Sequence, residues 1–331
     1  MRFPPERAGW YAMAQARELH PNKALRRYLF NTPILLFGSA AQPRAVVDRC
    51  PHRGAPLSQG RVEGDTVRCG YHGWTFTGDG RLADMPCLAG ELPGVKLHTF
   101  ETCVHLGLVF IKLGQAPDRP YTNPLVSQLK FWRALPGDAD AELADAAENF
   151  LDPSHTYFVH KHLVRGKKAV PTTVEVTAGA DRAEARYYGE GAAGGLIPAV
   201  MGEKERVLSV GRFIGPNVSE VEFHGPAGVN FVMTGYMTPA RDGEVTGYGV
   251  VGLPGGKPWA RLKFMLLWPW IRLVHSQDRN ILKTTRDNNV EFGDVKRMAG
   301  PLDVLRPQID AILAGKPPPA QAQPTRVTML L

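Results

Sequence analysis

The chain is 331 residues long, 44% apolar and 21% charged, an ordinary globular composition with room for two domains that each bury a core. It has no run of about 18 or more apolar residues, so no membrane-spanning helix is expected. The opening MRFPPERAGW lacks the continuous apolar stretch of a secretory signal, which makes the cytoplasm the expected compartment. The net charge of +7 comes from scattered basic residues, densest at Arg26-Arg27 and over residues 161–168, and reads as solvated surface. With no supporting motif, neither nucleic acid nor a membrane is an expected partner.

In chain order, a strand-like run over residues 45–48 leads into Cys50-Pro51-His52, and another over residues 66–68 leads into Cys69-Gly70-Tyr71-His72. Gly54 and Gly73 stand close behind. Each half offers one thiolate and one imidazole, so two loops at the tips of a small β-structure can close over one inorganic site. Four such donors can hold a tetrahedral zinc. Zinc fingers of this composition, however, usually group the cysteines in one half and the histidines in the other. One of each per half suits a two-iron, two-sulfur centre of the Rieske type, with the cysteines on one iron and the histidines on the other. Cys87 and Cys103 have no counterpart in the pattern and read as small core residues.

A strand-like run over residues 106–111 closes the first domain, expected over residues 1–115. A proline-punctuated connection over residues 117–124 opens the second, expected over residues 116–331. Residues 140–150, rich in Ala, Glu and Leu, read as a helix that runs into Asn149, Asp152, His155 and His160. The first three are spaced by three and can share a face. Pro153 imposes a kink or restart, which lets His155 and His160 converge despite poor helical phasing. Two neutral imidazoles and a carboxylate with open positions form the ligand set of a non-haem Fe(II) site. His162 has the wrong spacing and reads as a surface or supporting residue.

Further along, residues 172–177, 183–188, 219–223 and 229–237 alternate as strands, the last pairing with 245–253 across Arg241-Asp242-Gly243. The Gly- and Ala-rich residues 189–202 read as a loop, either a mobile cover for a pocket or plain surface. The apolar residues 264–271, which include Pro269, read as a buried segment. Residues 317–324 read as an extended tail lying on a neighbouring chain. The class is α+β: a small β-domain, then an antiparallel sheet with helices packed on it.

Asn149-x-x-Asp152-x-x-His155-x4-His160, with the Cys/His motif about 80 residues upstream, resembles the oxygenase α subunits of the Rieske non-haem iron family. That family includes vanillate and dicamba O-demethylases, the 3-ketosteroid 9α-hydroxylase oxygenase component and ring-hydroxylating dioxygenases. The resemblance covers residues 10–288. It implies a Rieske [2Fe-2S] domain followed by a helix-grip catalytic domain. Cys50, His52, Cys69 and His72 would hold the cluster, and His155 and His160 the mononuclear iron. Respiratory Rieske proteins carry an extra disulfide-forming cysteine in each loop; Ala55 and Tyr71 occupy those places here. The low-potential kind is therefore implied, near about −150 mV.

Gln277-Asp278-Arg279-Asn280-Ile281 resembles the family's late segment, which makes Asp278 the implied carboxylate ligand and Asp287 the alternative. Asp152 would bridge the two centres across a subunit interface, receiving electrons from a cluster histidine, His72, of the next chain. That route implies a closed homotrimer. Asn149 would lie near the iron, or make only a helix-terminal hydrogen bond. With no flavin or nicotinamide fingerprint in the chain, electrons would come from a ferredoxin or a ferredoxin-type, NAD(P)H-linked reductase, and an acidic carrier would suit the basic surface. The implied activity is O2-dependent hydroxylation or oxidative demethylation of an aromatic or polycyclic substrate. Monooxygenation is favoured because the chain is compact; a cis-dioxygenase is the alternative. A Rieske electron-transfer protein without oxygenase activity would need little beyond the first hundred or so residues.

Overall fold

A computed structural model of the chain describes residues 7–129, 131–166, 169–192, 194–293, 298–317 and 325–331. The chain divides into two compact units, Met1–Pro120 with Thr238–Asp242, and Tyr121–Met237 with Gly243–Leu331.

The first unit is built from three small antiparallel sheets. One pairs Gly9–Gln15, Leu108–Leu113 and Thr102–His105, and another orders Leu25–Leu29, Thr32–Ser39, Gln42–Val47 and Thr99–Phe100. The third is the meander Arg61–Glu63, Thr66–Arg68, Thr75–Thr77 and Leu82–Asp84. The strand Thr32–Ser39 explains how they share a core. Side chains alternate along a strand, so Ile34 and Leu36 enter one apolar cluster with Tyr11, Met13 and Ile111. Leu35 and Phe37 enter another with Val62, Val67, Phe76, Cys50 and Cys69. Buried on both faces, that strand ties the cysteine loops to the centre of the unit.

The second unit is an eight-stranded antiparallel sheet in the order Phe131–Pro136, Glu244–Leu253, Gly228–Arg241, Val218–Gly225, Glu205–Ile214, Arg182–Ala192, Pro171–Ala178, Thr325–Leu330. Among the described residues four α-helices accompany it: α1 (Leu143–Leu151), α2 (Leu196–Met201), α3 (Lys257–Glu291) and α4 (Arg306–Leu313). Ala146, Ala147 and Leu151 of α1 and Ile309 and Ile312 of α4 pack with Val174, Ala185, Tyr187 and Phe213 of the sheet. Gly235 eases the approach of α1 to the sheet: a Cβ there would stand 3.2 Å from the Phe150 Cε2, closer than an ordinary contact.

Several expectations need correction. Residues 264–271 are not a buried segment but lie within α3, and Met265 and Leu266 are exposed while Leu267 is buried. Residues 189–202 are not simply a loop: they contain the end of the strand Arg182–Ala192 and helix α2. Cys87 is exposed, at a left-handed backbone position, and Cys103 is only half-buried, so neither is a core residue. The expected tail over 317–324 falls, apart from Pro317, outside the described residues, as do Lys167 and Lys168 of the basic run.

Candidate metal centres

The two cysteine loops repeat one backbone device. Cys50 N–H donates to the Ala55 carbonyl at 2.8 Å and Gly54 N–H to the Cys50 carbonyl at 2.9 Å; Cys69 N–H donates to Trp74 at 2.8 Å and Gly73 N–H to Cys69 at 3.0 Å. Closing so tight a turn requires left-handed geometry, supplied by Gly54 at φ +77° and Gly73 at φ +74°. At Gly73 a Cβ would also meet the Pro86 Cγ at 2.8 Å. The loops place both cysteines in the core and both histidines at the exposed tips.

The His52 and His72 ring centroids are 4.5 Å apart, and His52 stacks flat on Trp74 at 4.8 Å. Burial pushes the Cys50 thiol pKa up, opposed by backbone N–H donors from His52 and Arg53 aimed at the sulfur. Such donors are one of the means by which proteins tune iron–sulfur centres. Desolvation, then the neighbouring His72 and Arg53 charges, lower His52 and keep its ring in the neutral form that binds metal. Two sulfurs below and two imidazoles above fit a pair of irons with different ligands better than one tetrahedral ion.

The second centre belongs to the other unit. Helix α1 stops at Asp152, whose extended backbone precedes Pro153 and the single turn Ser154–Tyr157. The Asp152 carboxylate holds that turn, accepting from Ser154 N–H at 2.7 Å, Ser154 Oγ at 2.9 Å and His155 N–H at 3.2 Å. The restart brings His155 and His160 together, with ring centroids 5.1 Å apart.

Asp278 of α3 meets both. Its Oδ1 lies 2.9 Å from His160 Nε2 and 3.3 Å from His155 Nε2, and one donor atom from each of the three residues falls within 4.8 Å of the others. The far nitrogens face outward. His160 Nδ1 is 2.9 Å from Gln277 Oε1, and His155 Nδ1 is 3.5 Å from Asp152 Oδ2 with no closer partner. A proton on His160 Nδ1, held by the Gln277 oxygen, would free its Nε2 for a cation in place of the Asp278 contact, the usual support for a metal-binding histidine.

The electrostatics point the same way. Burial works to raise Asp278, but hydrogen bonds from His155, His160 and Asn149 hold its carboxyl well below the usual range. Burial would lower His155, yet the bonds to Asp152 and Asp278 outweigh it and raise its pKa to about 9. Two carboxylates thus demand positive charge beside two imidazoles, which a divalent cation provides.

Asn149, read from the sequence as near the iron or as a helix-terminal group, bonds the Asp278 carboxylate. Asp287 pairs with Lys283 and Arg286 near the surface and is not brought to the histidines. His162 is exposed, at φ +64°. Sequence reasoning missed the part played by Gln277, although it stands beside Asp278. It also missed Tyr187, which with Asn149 and Asp152 lines a cavity of about 270 Å3 behind α1.

The model of the Rieske [2Fe-2S] domain matches residues 9–101. The chain is 35% identical over 164 residues to the 4beta-methylsterol monooxygenase of Methylococcus capsulatus, covering 46% of this chain and 44% of that protein. It is 31% identical over 174 residues to the oxygenase component of chloroacetanilide N-alkylformylase of Rhizorhabdus wittichii, covering 49% of each. The chain therefore spans about half the length of these curated relatives. Among solved structures, dicamba monooxygenase bound to dicamba superposes with a TM-score of 0.77 at 19% identity, over 95% of this chain and 97% of that one. Pseudomonas putida NdmA with caffeine gives 0.73 at 19%, over 93% and 90%. The chain thus carries a Rieske [2Fe-2S] domain and a candidate His-His-Asp iron site in an α+β fold, and is similar to Rieske-type oxygenase components.

Proposed function

We propose that this chain is the oxygenase component of a Rieske-type monooxygenase, which hydroxylates or oxidatively demethylates an apolar aromatic or polycyclic substrate. One observation carries the reading: a two-histidine, one-carboxylate set with donor atoms within 4.8 Å, in a chain that also holds a Rieske domain. The relatives named monooxygenase support the same outcome. When bound, the cluster supplies single electrons and the iron supplies O2 activation.

The chain's own residues set the conditions for that chemistry. Cys50 and Cys69 would hold the cluster from the core, and the exposed His52 and His72 would hold it where a ferredoxin or ferredoxin-type, NAD(P)H-linked reductase can approach. His155, His160 and Asp278 would hold the iron through one donor atom each, within 4.8 Å of one another. Gln277 fixes the His160 imidazole, Asp152 accepts from the His155 backbone N–H and stands beside its ring, and Asn149 orients the Asp278 carboxylate. The exposed His72 of one chain would face Asp152 of the next in a closed homotrimer, making Asp152 the bridge between centres.

Asp278→Ala tests the site: the mononuclear iron should be lost while the visible absorption of the cluster persists, and full iron retention would overturn the assignment. Oxygen uptake and formaldehyde release with methoxy-aromatics, N-methyl-aromatics and steroids test the reaction. Uptake with release marks demethylation and uptake alone marks hydroxylation; no uptake across the panel counts against this substrate class.

A further inference from the structure

The first half of α3 is apolar on two opposite faces. Ala260 and Leu267 are buried, with Phe264 and Ile271 packed beside them against the sheet. The outward face carries Trp259, Leu262, Leu266, Pro269 and Leu273, spaced 3, 4, 3 and 4 apart. At about 100° per residue these fall on one stripe along the helix. They are open to solvent: Trp259 is 69% exposed, Leu262 46%, Leu266 55% and Leu273 40%, and Met265 on the stripe's edge is 62% exposed. No such stripe is needed to hold the core, which the other face already does.

The charges on this half of α3 are all of one sign. From residue 257 to residue 277 there is no Asp or Glu, while Lys257, Arg261, Lys263 and Arg272 contribute four cations. Lys257, Arg261 and Arg272 are exposed. Lys263 is tied down, donating to the Met201 carbonyl at 2.9 Å. A helix with an exposed aromatic and aliphatic stripe edged by cations has the pattern of one that lies in a membrane interface.

We propose that this face of α3 rests on the surface of an anionic lipid bilayer, with Trp259, Leu262 and Leu266 entering the boundary between headgroups and acyl chains. The helix would lie on the membrane, not cross it: no helix of the described residues is long and apolar enough to span one. Charge complementarity selects this occupant over a second copy of the chain. Packing the stripe on itself would bring the Arg261 and Arg272 of two copies together, in a protein whose net charge is already +7. An anionic surface satisfies the apolar stripe and the cations at once. The proposal is independent of the reaction assigned above.

The test uses the full, cluster-loaded chain and co-sedimentation with extruded vesicles of phosphatidylcholine, with or without roughly 30 mole per cent phosphatidylglycerol. The protein should partition onto the anionic vesicles at least about tenfold more strongly than onto the neutral ones, and that preference should collapse in about 1 M salt. Trp259→Ser with Leu266→Ser should lower the partition by about tenfold or more while the cluster absorption stays unchanged, since both side chains are exposed. Arg261→Ser with Arg272→Ser should remove most of the preference for anionic lipid. Equal sedimentation with and without vesicles would overturn the proposal, as would an unaltered partition in the Trp259/Leu266 variant. A change of oligomer size in that variant without any vesicle binding would give the stripe to a second copy instead.

Discussion

His160 is held from two sides, by Asp278 at Nε2 and by Gln277 at Nδ1, and these two residues are neighbours on α3. One helix position would supply a ligand and the next fixes the orientation of another. Gln277→Leu should therefore weaken iron binding by about 10- to 100-fold while leaving the cluster untouched. Iron titration of metal-stripped protein reads this, and unchanged affinity would show that His160 needs no such support. Asp152 has two tasks, holding the Ser154 turn and touching His155. Asp152→Asn keeps an oxygen for the turn but removes the charge. Both centres should stay loaded in this variant while reductase-driven turnover falls by orders of magnitude; wild-type turnover would exclude Asp152 from the route between centres. At this scale much was legible, because thiolates and imidazoles at short spacing admit few chemistries. Asp278 was legible only through resemblance. It lies 118 residues from His160, and no local pattern joins residues so far apart.

At the scale of elements, turns and caps decide what the loops can hold. Gly73→Ala would introduce a Cβ at a left-handed position and against Pro86, costing about 1–3 kcal/mol. It should reduce cluster occupancy, read by absorbance per chain. Gly64→Ala, also at positive φ but with open space around the new Cβ, should leave occupancy unchanged; equal loss in both would mean that backbone strain alone is responsible. The sheet carries a buried charged group around Arg212, which pairs with Glu184, Glu220 and Glu222. Burial would raise Glu222, but His224 and Arg212 outweigh it and lower its pKa to about 2 from an ordinary 4.5. A lowered carboxylate stabilises the fold fully above the ordinary value and loses that contribution as pH falls through about 2. Glu222→Gln should thus lower the urea midpoint at neutral pH, with the difference from wild type shrinking below pH 4.5 and vanishing near 2. A constant difference across that range would contradict the pairing.

These same charges explain why the strand Glu205–Ile214 escaped the sequence reading. Arg206 and Arg212 stand where an apolar residue would mark an inward position, and only their partners Glu203, Glu190 and Glu222 make burial tolerable. Helix α3 escaped for another reason. Pro269 interrupts it, and two apolar faces blur the single-faced period by which a helix is recognised.

For the molecule as a whole, the proposed homotrimer would pass electrons between chains. Two inactive variants test this, one lacking the iron (Asp278→Ala) and one lacking the cluster (Cys69→Ala with His72→Ala). In randomly mixed trimers, half the chains would keep an iron site, and half of those would follow a neighbour with a cluster. About one quarter of wild-type turnover should return, whereas a route within one chain would return none. Beneath that requirement lies the existence of two distinct iron centres. The most direct measurement is the iron and acid-labile sulfide content of protein purified without oxygen. The account predicts about three iron and two sulfide per chain, with Asp278→Ala losing one iron and no sulfide. Zinc in place of iron, or iron without sulfide, would contradict it.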